Sequence, residues 1–305
     1  MRASLDWLGC ATFRLTLDDL VVFLDAYIDR VPAAPPVGLS VADVMRADAV
    51  LVGHSHFDHL WGAERIAKQT GARVVGSHET VRLVRDAGVP EERCVAVTGG
   101  ERIVLGAGVT ARVLPSLHSC IWARASWDAS EPCHGDLGLT LEEREERLAA
   151  GGGWLARDDR PGSREAREHV GACPHRPRGD GGALAYLIET PIGSLLWKDT
   201  SGHWSGVLRQ VRADVAILAA SGRANVDGEP VQGRLADFIA DEVAMLSPRR
   251  VFLAHHDDWM PPVTRAIDPA PMRATLSRRA PAVELVETGY LSGIDPFAAT
   301  RPVVS

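Results

Sequence analysis

Residues 50–60 read VLVGHSHFDHL and join a buried strand to a dense group of polar side chains. The apolar run Ala49–Val52 is typical of a buried strand, and Gly53 ends it. The pattern H-x-H-x-D-H follows at once and places four potential metal ligands within six positions: His54, His56, Asp58 and His59. Because a hydrophobic core does not require such a pattern, the pattern indicates a functional site.

The spacing of these four residues favours one shared site. While the chain stays extended, side chains at i and i+2 share a face, so the first three point in one direction. The start of the next helix would turn His59 towards them. Imidazole and carboxylate groups together suit zinc, iron or manganese, and six such groups would fill two adjacent coordination spheres. The alternative is a hydrophilic turn that happens to carry histidines, and the number of ligand-type residues disfavours it.

Composition bounds the class of protein. The chain has 305 residues, of which 46% are hydrophobic and 24% charged, as in ordinary globular proteins. The net charge is −7, the pI is near 5.9, and Lys and Arg form no run. A general nucleic-acid binder would need a basic stripe, so we expect no nucleic-acid partner. A small anionic substrate stays compatible, because metals can supply local positive charge.

The N terminus and the cysteines bear on location. Met1–Gly9 carries Asp6 and no apolar h-region, so no secretory signal is expected. No apolar window approaches about 18 residues, so we expect no membrane span. The cysteines are odd in number and scattered, without C-x-x-C: Cys10, Cys94, Cys120, Cys133 and Cys173. Reduced thiols in a cytoplasmic protein are the expectation.

The N-terminal part alternates short strands with tight breaks. Leu5–Leu8, Thr12–Leu17 and Leu20–Asp25 are predicted to form an antiparallel meander. Asp25 ends an apolar strand and would lie near the site if that strand runs towards it; a plain strand-end carboxylate is the alternative. Alternating strand and helix patterns over residues 49–88 predict a sheet covered by helices.

Further apolar strands also end in ligand-type residues. The hairpin Arg102–Leu105 with Val109–Leu114 delivers His118 just past a strand end. A second hairpin ends in WKDTSGH, which contains Asp199, and a late strand runs directly into His255. Four strands are therefore followed by potential metal ligands, and this convergence is the main sequence argument for one site.

A long segment from about 120 to 182 interrupts the regular pattern. Apart from a charged helical stretch at Leu139–Ala149, it has little apolar periodicity, and such connections are usually lids, binding loops or disordered. We expect it to fold over the site, with three tryptophans lining the pocket: Trp122, Trp127 and Trp154. Cys133-His134 and Cys173-x-His175 are possible ligands of a second zinc, but the pairs are far apart and solvated loop residues are the favoured interpretation.

These motifs resemble the metallo-β-lactamase-fold hydrolase superfamily, whose H-x-H-x-D-H motif is complete here. The opening WLGCATF at 7–13 and the closing HHDDWMPP at 255–262 resemble its ascorbate-phosphate-lactonase-like branch, which includes phospholipase-D-type members. The resemblance covers the chain nearly end to end, but the segment at 120–182 has no counterpart. It implies an α/β (α+β) four-layer αβ/βα sandwich, as a single domain over 1–305 with a loop-rich insertion.

The resemblance also implies a dinuclear metal centre, with zinc expected and manganese or iron as alternatives. One metal would be held by His54, His56 and His118. The other would be held by Asp58, His59 and His255, with Asp199 as the bridge. His256 and Asp257 would orient His255 through hydrogen bonds.

Two divalent ions about 4 Å apart can lower the pKa of a shared water to about 7. We therefore expect a hydroxide to attack a small ester, lactone or amide, and the chain has no G-x-S-x-G nucleophile motif. Asp58 would orient the nucleophile or carry its proton. His203 would act as a general acid or hold substrate, and a surface histidine beside Trp204 is the alternative.

Other functions stay open on the same residues. A phosphodiesterase or phospholipase-D-like hydrolase would use the same metals on a P–O bond. A non-catalytic metal-binding or redox member of the fold is the further alternative, which the complete set of seven ligands disfavours. The expected partner is a small-molecule substrate, and a homo-oligomer is left open.

Overall fold

Two mixed sheets lie face to face and carry helices on their outer faces. The structure is a computed structural model and describes residues 1–123, 125, 127–150 and 159–299. The strands are β1 (Ala3–Trp7), β2 (Phe13–Leu17), β3 (Leu20–Leu24), β4 (Ala49–Leu51), β5 (Arg73–Gly76), β6 (Cys94–Ala96), β7 (Arg102–Gly106), β8 (Val109–Pro115), β9 (Leu184–Thr190), β10 (Gly193–Lys198), β11 (Gly202–His203), β12 (Val215–Ala219), β13 (Asn225–Val226), β14 (Glu229–Pro230), β15 (Arg250–Ala254) and β16 (Glu284–Val286). The helices are α1 (Phe57–Leu60), α2 (Ala63–Thr70), α3 (His78–Asp86), α4 (Leu141–Ala150), α5 (Ser163–Ala172), α6 (Ser205–Leu208), α7 (Leu235–Leu246) and α8 (Ala270–Arg279), with 3₁₀ turns at Val41–Asp43 and Glu91–Arg93.

The first sheet has the order β1-β2-β3-β4-β5-β6. Strands β1 to β3 form the predicted antiparallel meander, and β3 to β6 run parallel. Leu24 pairs with Leu51, so the segments that follow β3 and β4 leave the sheet side by side. This register brings Asp25 next to the H-x-H-x-D-H segment.

The second sheet has the order β16-β15-β12-β10-β9-β8-β7. Its central strands β10, β12 and β15 are parallel, with Lys198 paired to Leu218 and Ala219 to Ala254. The carboxyl ends of parallel strands meet at one edge of a sheet, so Asp199 and His255 emerge there together. The N–H of Leu184 donates to the Gly53 carbonyl at 2.8 Å, which joins the two sheets at this edge.

Apolar side chains fill three interfaces between four layers. Between the sheets, alternate residues from both strand sets are buried, including Phe13, Tyr186, Trp197 and Phe252. Helices α2 and α3 cover the outer face of the first sheet, and α7 and α8 cover that of the second. This α–β–β–α order confirms the predicted four-layer sandwich.

Helices α2 and α3 have well-defined ends. In α2 the apolar Ile66 and Ala67 are buried on one face. Gly71 adopts the left-handed conformation that ends many helices, and its N–H donates to the Ala67 carbonyl. The hydroxyl of Ser77 accepts the Thr80 N–H and so caps α3.

The segment at 120–182 contains more regular structure than its sequence suggests. The predicted helix at Leu139–Ala149 is confirmed as α4, whereas α5 was not predicted because few of its residues are apolar. Of these, Ala166 is fully buried and packs with Val170 in a cluster that includes Tyr27 and Trp259. Trp154 lies outside the described residues.

Candidate metal centre

Ligand-type side chains converge at the edge where strands of both sheets end. They form three overlapping groups, and within each group the ligand atoms all lie within 4.8 Å of one another. The groups are His54, His56 and His118; Cys10, Asp58, His59 and His255; and His54, His59 and Asp199. The structure thus brings together all seven predicted ligands and adds Cys10, which was not predicted.

The first group consists of three imidazoles. His54 Nε2 lies 3.0 Å from His56 Nδ1, and the His118 ring lies 4.5 Å and 4.8 Å from the other two ring centres. His118 Nδ1 donates to the Ser119 carbonyl at 2.8 Å, which leaves Nε2 unprotonated in the neutral ring. His54 is buried, whereas His56 and His118 are half-buried, so this side is the more accessible one.

The second group is centred on Asp58, in the first turn of α1. Its Oδ2 lies 3.4 Å from His59 Nε2 and 3.3 Å from His255 Nε2. His255 follows β15 and has a φ of 61°, a left-handed conformation that turns its ring back from the strand end. The His255 N–H donates to the Cys10 carbonyl at 2.7 Å and fixes this turn.

Asp199 links the two groups. Its Oδ2 lies 2.6 Å from His54 Nδ1 and 3.3 Å from His59 Nδ1, so it contacts one histidine of each group. Oδ1 is buried and has no hydrogen-bond partner in the described part of the chain. A side chain at Gly53 would place its Cβ 2.1 Å from Asp199 Oδ2, so the close approach of this carboxylate requires glycine.

Asp25 lies at the site, as one of its two sequence interpretations expects. Its Oδ2 is 2.5 Å from His59 Nδ1, and its Oδ1 accepts the Gly53 N–H at 2.9 Å. Metal-binding histidines commonly use their second nitrogen for such a bond, which fixes the orientation of the ring. Burial, opposed by His59, raises the pKa of Asp25 to about 7.

The electrostatics of these groups suit a cation. Burial and neighbouring histidines lower the pKa of His54 and His56 well below the ordinary value, which favours the neutral ligand form. Although burial opposes it, the charge of His59 holds the pKa of Asp58 well below its ordinary range. Burial raises the pKa of Asp199, and a divalent cation would favour its ionised form. With the free Asp199 Oδ1, these donors fit divalent metals.

The structure does not bring His203 to the ligand groups. Its Nδ1 lies 2.7 Å from Glu242 Oε1, and its ring stacks on Phe238 at 5.5 Å, both on α7. Lys198 Nζ lies 3.1 Å from the same carboxylate oxygen. These contacts turn the His203 ring towards α7, and its catalytic or substrate-binding role stays a prediction.

His256 and Asp257, the predicted hydrogen-bond partners of His255, make other contacts in the structure. The His256 ring stacks on Trp7, with ring centres 4.7 Å apart, rather than orienting His255. Asp257 accepts the Cys10 N–H at 3.0 Å and also binds Arg30 and Tyr290. It therefore orients the Cys10 turn, and reaches His255 only through that turn.

The insertion packs beside the centre without presenting its described tryptophans to it. Trp122 packs against Cys120 under the Arg144 guanidinium, and Trp127 packs on the apolar cluster of the second sheet. His175 Nε2 lies 3.2 Å from Glu64 Oε2. In the described part of the chain, no group of ligand-type atoms includes Cys133 or Cys173, but both cysteines are buried, so they are not the solvated loop residues that we expected.

Comparison with known proteins identifies relatives over part of the chain. The sequence profile of the beta-lactamase superfamily domain matches residues 21–163. A UPF0173 metal-dependent hydrolase of Pyrobaculum neutrophilum is 35% identical over 113 residues, which are 37% of this chain and 49% of that protein. The chain spans about half the length of the curated relatives it matches.

Solved structures share the fold over nearly the whole chain. Igni18, a metallo hydrolase of Ignicoccus hospitalis, has a TM-score of 0.60 at 15% identity, covering 95% of this chain and 96% of its own. The metallo-beta-lactamase fold protein YhfI of Bacillus subtilis has a TM-score of 0.53 at 11% identity, covering 94% and 97%. The architecture is thus that of the metallo-β-lactamase fold.

The chain has the metallo-β-lactamase fold, as its motifs predict, and residues 21–163 match the profile of the beta-lactamase superfamily domain. The ascorbate-phosphate-lactonase-like branch is a finer assignment and stays a prediction. None of the helices in the described ranges has the length and apolar character needed to cross a membrane.

Proposed function

We propose that this protein is a metal-dependent hydrolase that binds two divalent ions and acts on a small ester, lactone or amide. The observation that carries this proposal is the pair of ligand groups linked through Asp199 at one edge of the sandwich. The curated relatives are called metal-dependent hydrolases, which supports the same class of activity. This chain covers about half of their length.

Each predicted ligand has a defined task in this proposal. His54, His56 and His118 bind one ion as neutral imidazoles, and Asp58, His59 and His255 bind the other. Divalent ions held there supply Lewis acidity and lower the pKa of a coordinated water. Asp199 holds the two groups in register, and Asp25 orients His59 through Nδ1. Zinc is the proposed metal, with manganese and iron suited to the same donors.

Asp58 is the proposed proton acceptor. Its pKa is held low mainly by His59 against the effect of burial, so the carboxylate is ionised at neutral pH. Substrate is proposed to approach from the side of His56 and His118, because these are the half-buried members of the first group. We propose a small-molecule substrate, and reduced cysteines fit a cytoplasmic location.

The test is hydrolysis by the metal-loaded protein of a panel of lactones, aryl esters, amides and phosphodiesters. The proposal expects turnover of an acyl substrate, abolished by a chelator and by His118→Ala. Turnover of phosphodiesters alone would favour the alternative reaction on the same centre. Activity that survives complete metal removal would contradict a metal-dependent mechanism.

A further inference from the structure

We propose that Cys10 is an additional ligand of the second metal, beside Asp58, His59 and His255. This inference rests on the proposed function, since it assigns a ligand to a metal of that centre. The main evidence is that the Cys10 sulfur lies within 4.8 Å of the ligand atoms of Asp58, His59 and His255.

Cys10 is held rigidly in that position. It lies in the turn between β1 and β2, is fully buried, and has a φ of 50°. Its N–H donates to Asp257 Oδ1 at 3.0 Å, and Asp257 is held in turn by Arg30 and Tyr290. Non-glycine residues adopt left-handed backbone only where the surroundings enforce it, and such residues cluster at functional sites.

The same turn is tied directly to His255. The Cys10 carbonyl accepts the His255 N–H at 2.7 Å and the Trp7 Nε1–H at 3.0 Å. Two non-glycine residues in left-handed conformations, Cys10 and His255, thus fix each other while both present ligand atoms to Asp58. This arrangement positions the sulfur relative to the group rather than merely burying it.

Packing alone is the competing explanation. Buried cysteines often serve as small apolar residues, and Cys10 does contact an apolar cluster that includes Tyr27 and Trp259. Its thiol donates only a weak bond, at 3.5 Å, to the Asp58 carbonyl. Cys120, Cys133 and Cys173 are also buried, yet within the described residues none of them joins a ligand group.

A thiolate would give the two halves of the centre different properties. Thiolate ligands favour zinc or cobalt over manganese, so the second set would be the more selective one. Besides the shared Asp199, the second group would offer four protein ligands and the first group only its three imidazoles, and catalytic zinc sites keep a position open. The open position of the centre would then belong to the first group.

The test uses Co²⁺ titration of the metal-free full chain as wild type, Cys10→Ser, Cys10→Ala and the control Cys120→Ser. Sulfur-to-cobalt charge transfer absorbs in the near ultraviolet, whereas the d–d bands report cobalt binding whatever the ligands. We expect both absorptions in wild type and in the control. Both Cys10 variants should lose the charge-transfer band and bind one of two cobalt ions at least about tenfold more weakly.

X-ray absorption of zinc-loaded wild type gives an answer that needs no variant. A sulfur scatterer at about 2.3 Å is expected. Cobalt d–d bands in wild type without charge transfer, or charge transfer that persists in the Cys10 variants, would overturn the Cys10 assignment and leave the proposed centre intact. If wild type bound neither cobalt nor zinc, the proposed function and this inference would both fall.

Discussion

At the scale of single residues, the candidate centre concentrates unusual backbone. Cys10, Asp25 and His255 all have φ values between 50° and 61°, and each follows the end of a strand or begins a turn. Such conformations cost on the order of 1–3 kcal/mol each. The fold tolerates these conformations because each residue is held by hydrogen bonds to its neighbours. The conformations direct the three polar side chains to the sheet edge where the candidate centre lies.

His203 offers a test of role at this scale. The variant His203→Ala removes a buried hydrogen bond and leaves Glu242 with Lys198 alone, so we expect it to be destabilised by about 1–3 kcal/mol. Metal content and the rate per folded molecule should be unchanged. Urea unfolding and elemental analysis check both points. A stable variant with strongly reduced turnover would restore the catalytic interpretation.

Residue identity and spacing predicted the seven ligand-type residues that the structure brings together. Cys10 was missed because a single cysteine in a turn gives no spacing signal. The contact of His203 with Glu242 could not be predicted, because Glu242 lies 39 positions away on another element. Short-range patterns reveal a metal motif, whereas contacts between distant elements appear only when the chain is folded.

At the scale of elements, the insertion is attached to the sandwich at identifiable points. Tyr27 Oη lies 2.8 Å from His169 Nε2 on α5, and the N–H of Ser55 donates to the Asp180 carbonyl. The Trp259 ring, which packs on the cluster that includes α5, lies 5.2 Å from the His255 ring. The insertion therefore supports the second ligand group.

The Glu64–His175 contact between α2 and the insertion predicts a pH dependence. Although burial opposes ionisation, the hydrogen bond and charge of His175 hold the pKa of Glu64 below its ordinary value of 4.5. A lowered native pKa means that the contribution to stability is present above pH 4.5 and is lost as the pH falls through the native pKa. Glu64→Gln should therefore be destabilised by about 2 kcal/mol at pH 7.

This difference should shrink as the pH falls below 4.5 and through the native pKa of Glu64. Chemical unfolding of metal-free wild type and variant across pH measures it, with the exposed Glu92→Gln as control. A difference that stays constant from pH 7 down to the lowest pH at which both proteins fold would show that the contact does not depend on the charge of Glu64.

Elements with clear periodicity were predictable and the others were not. The strands of the N-terminal meander and of the hairpin β7–β8 lie close to their predicted bounds. Helices α5 and α8 were missed because their sequences, SREAREHVGA and APMRATLSRR, have few apolar residues to define a face. Their positions depend on docking to the rest of the fold, which local sequence does not encode.

At the scale of the whole molecule, the ligands connect the two halves of the sandwich. The H-x-H-x-D-H segment follows β4 of the first sheet, whereas His118, Asp199 and His255 follow strands of the second sheet. Metal binding should thus stabilise the folded chain without being needed for folding, because the apolar interface between the sheets is extensive.

Metal removal should therefore lower Tm while unfolding stays cooperative. A site that binds only the native state adds about 2.7 kcal/mol when the free metal is at about 100 times its Kd. Calorimetry with and without a chelator, followed by zinc readdition, measures the shift. A Tm that does not respond to zinc would mean that no such site forms, whereas loss of all cooperative unfolding would mean that the metal is required for the fold.

A centre that holds two metals linked through Asp199 is tested most directly by the metal content per chain, measured by elemental analysis. Wild type and Asp199→Ala should be compared after supply of zinc or manganese and removal of the excess. We expect about two metals per chain in wild type, and one or fewer in the variant, because the loss of this carboxylate releases His54 and His59 from each other. No bound metal in wild type, or two metals retained by Asp199→Ala, would contradict the account.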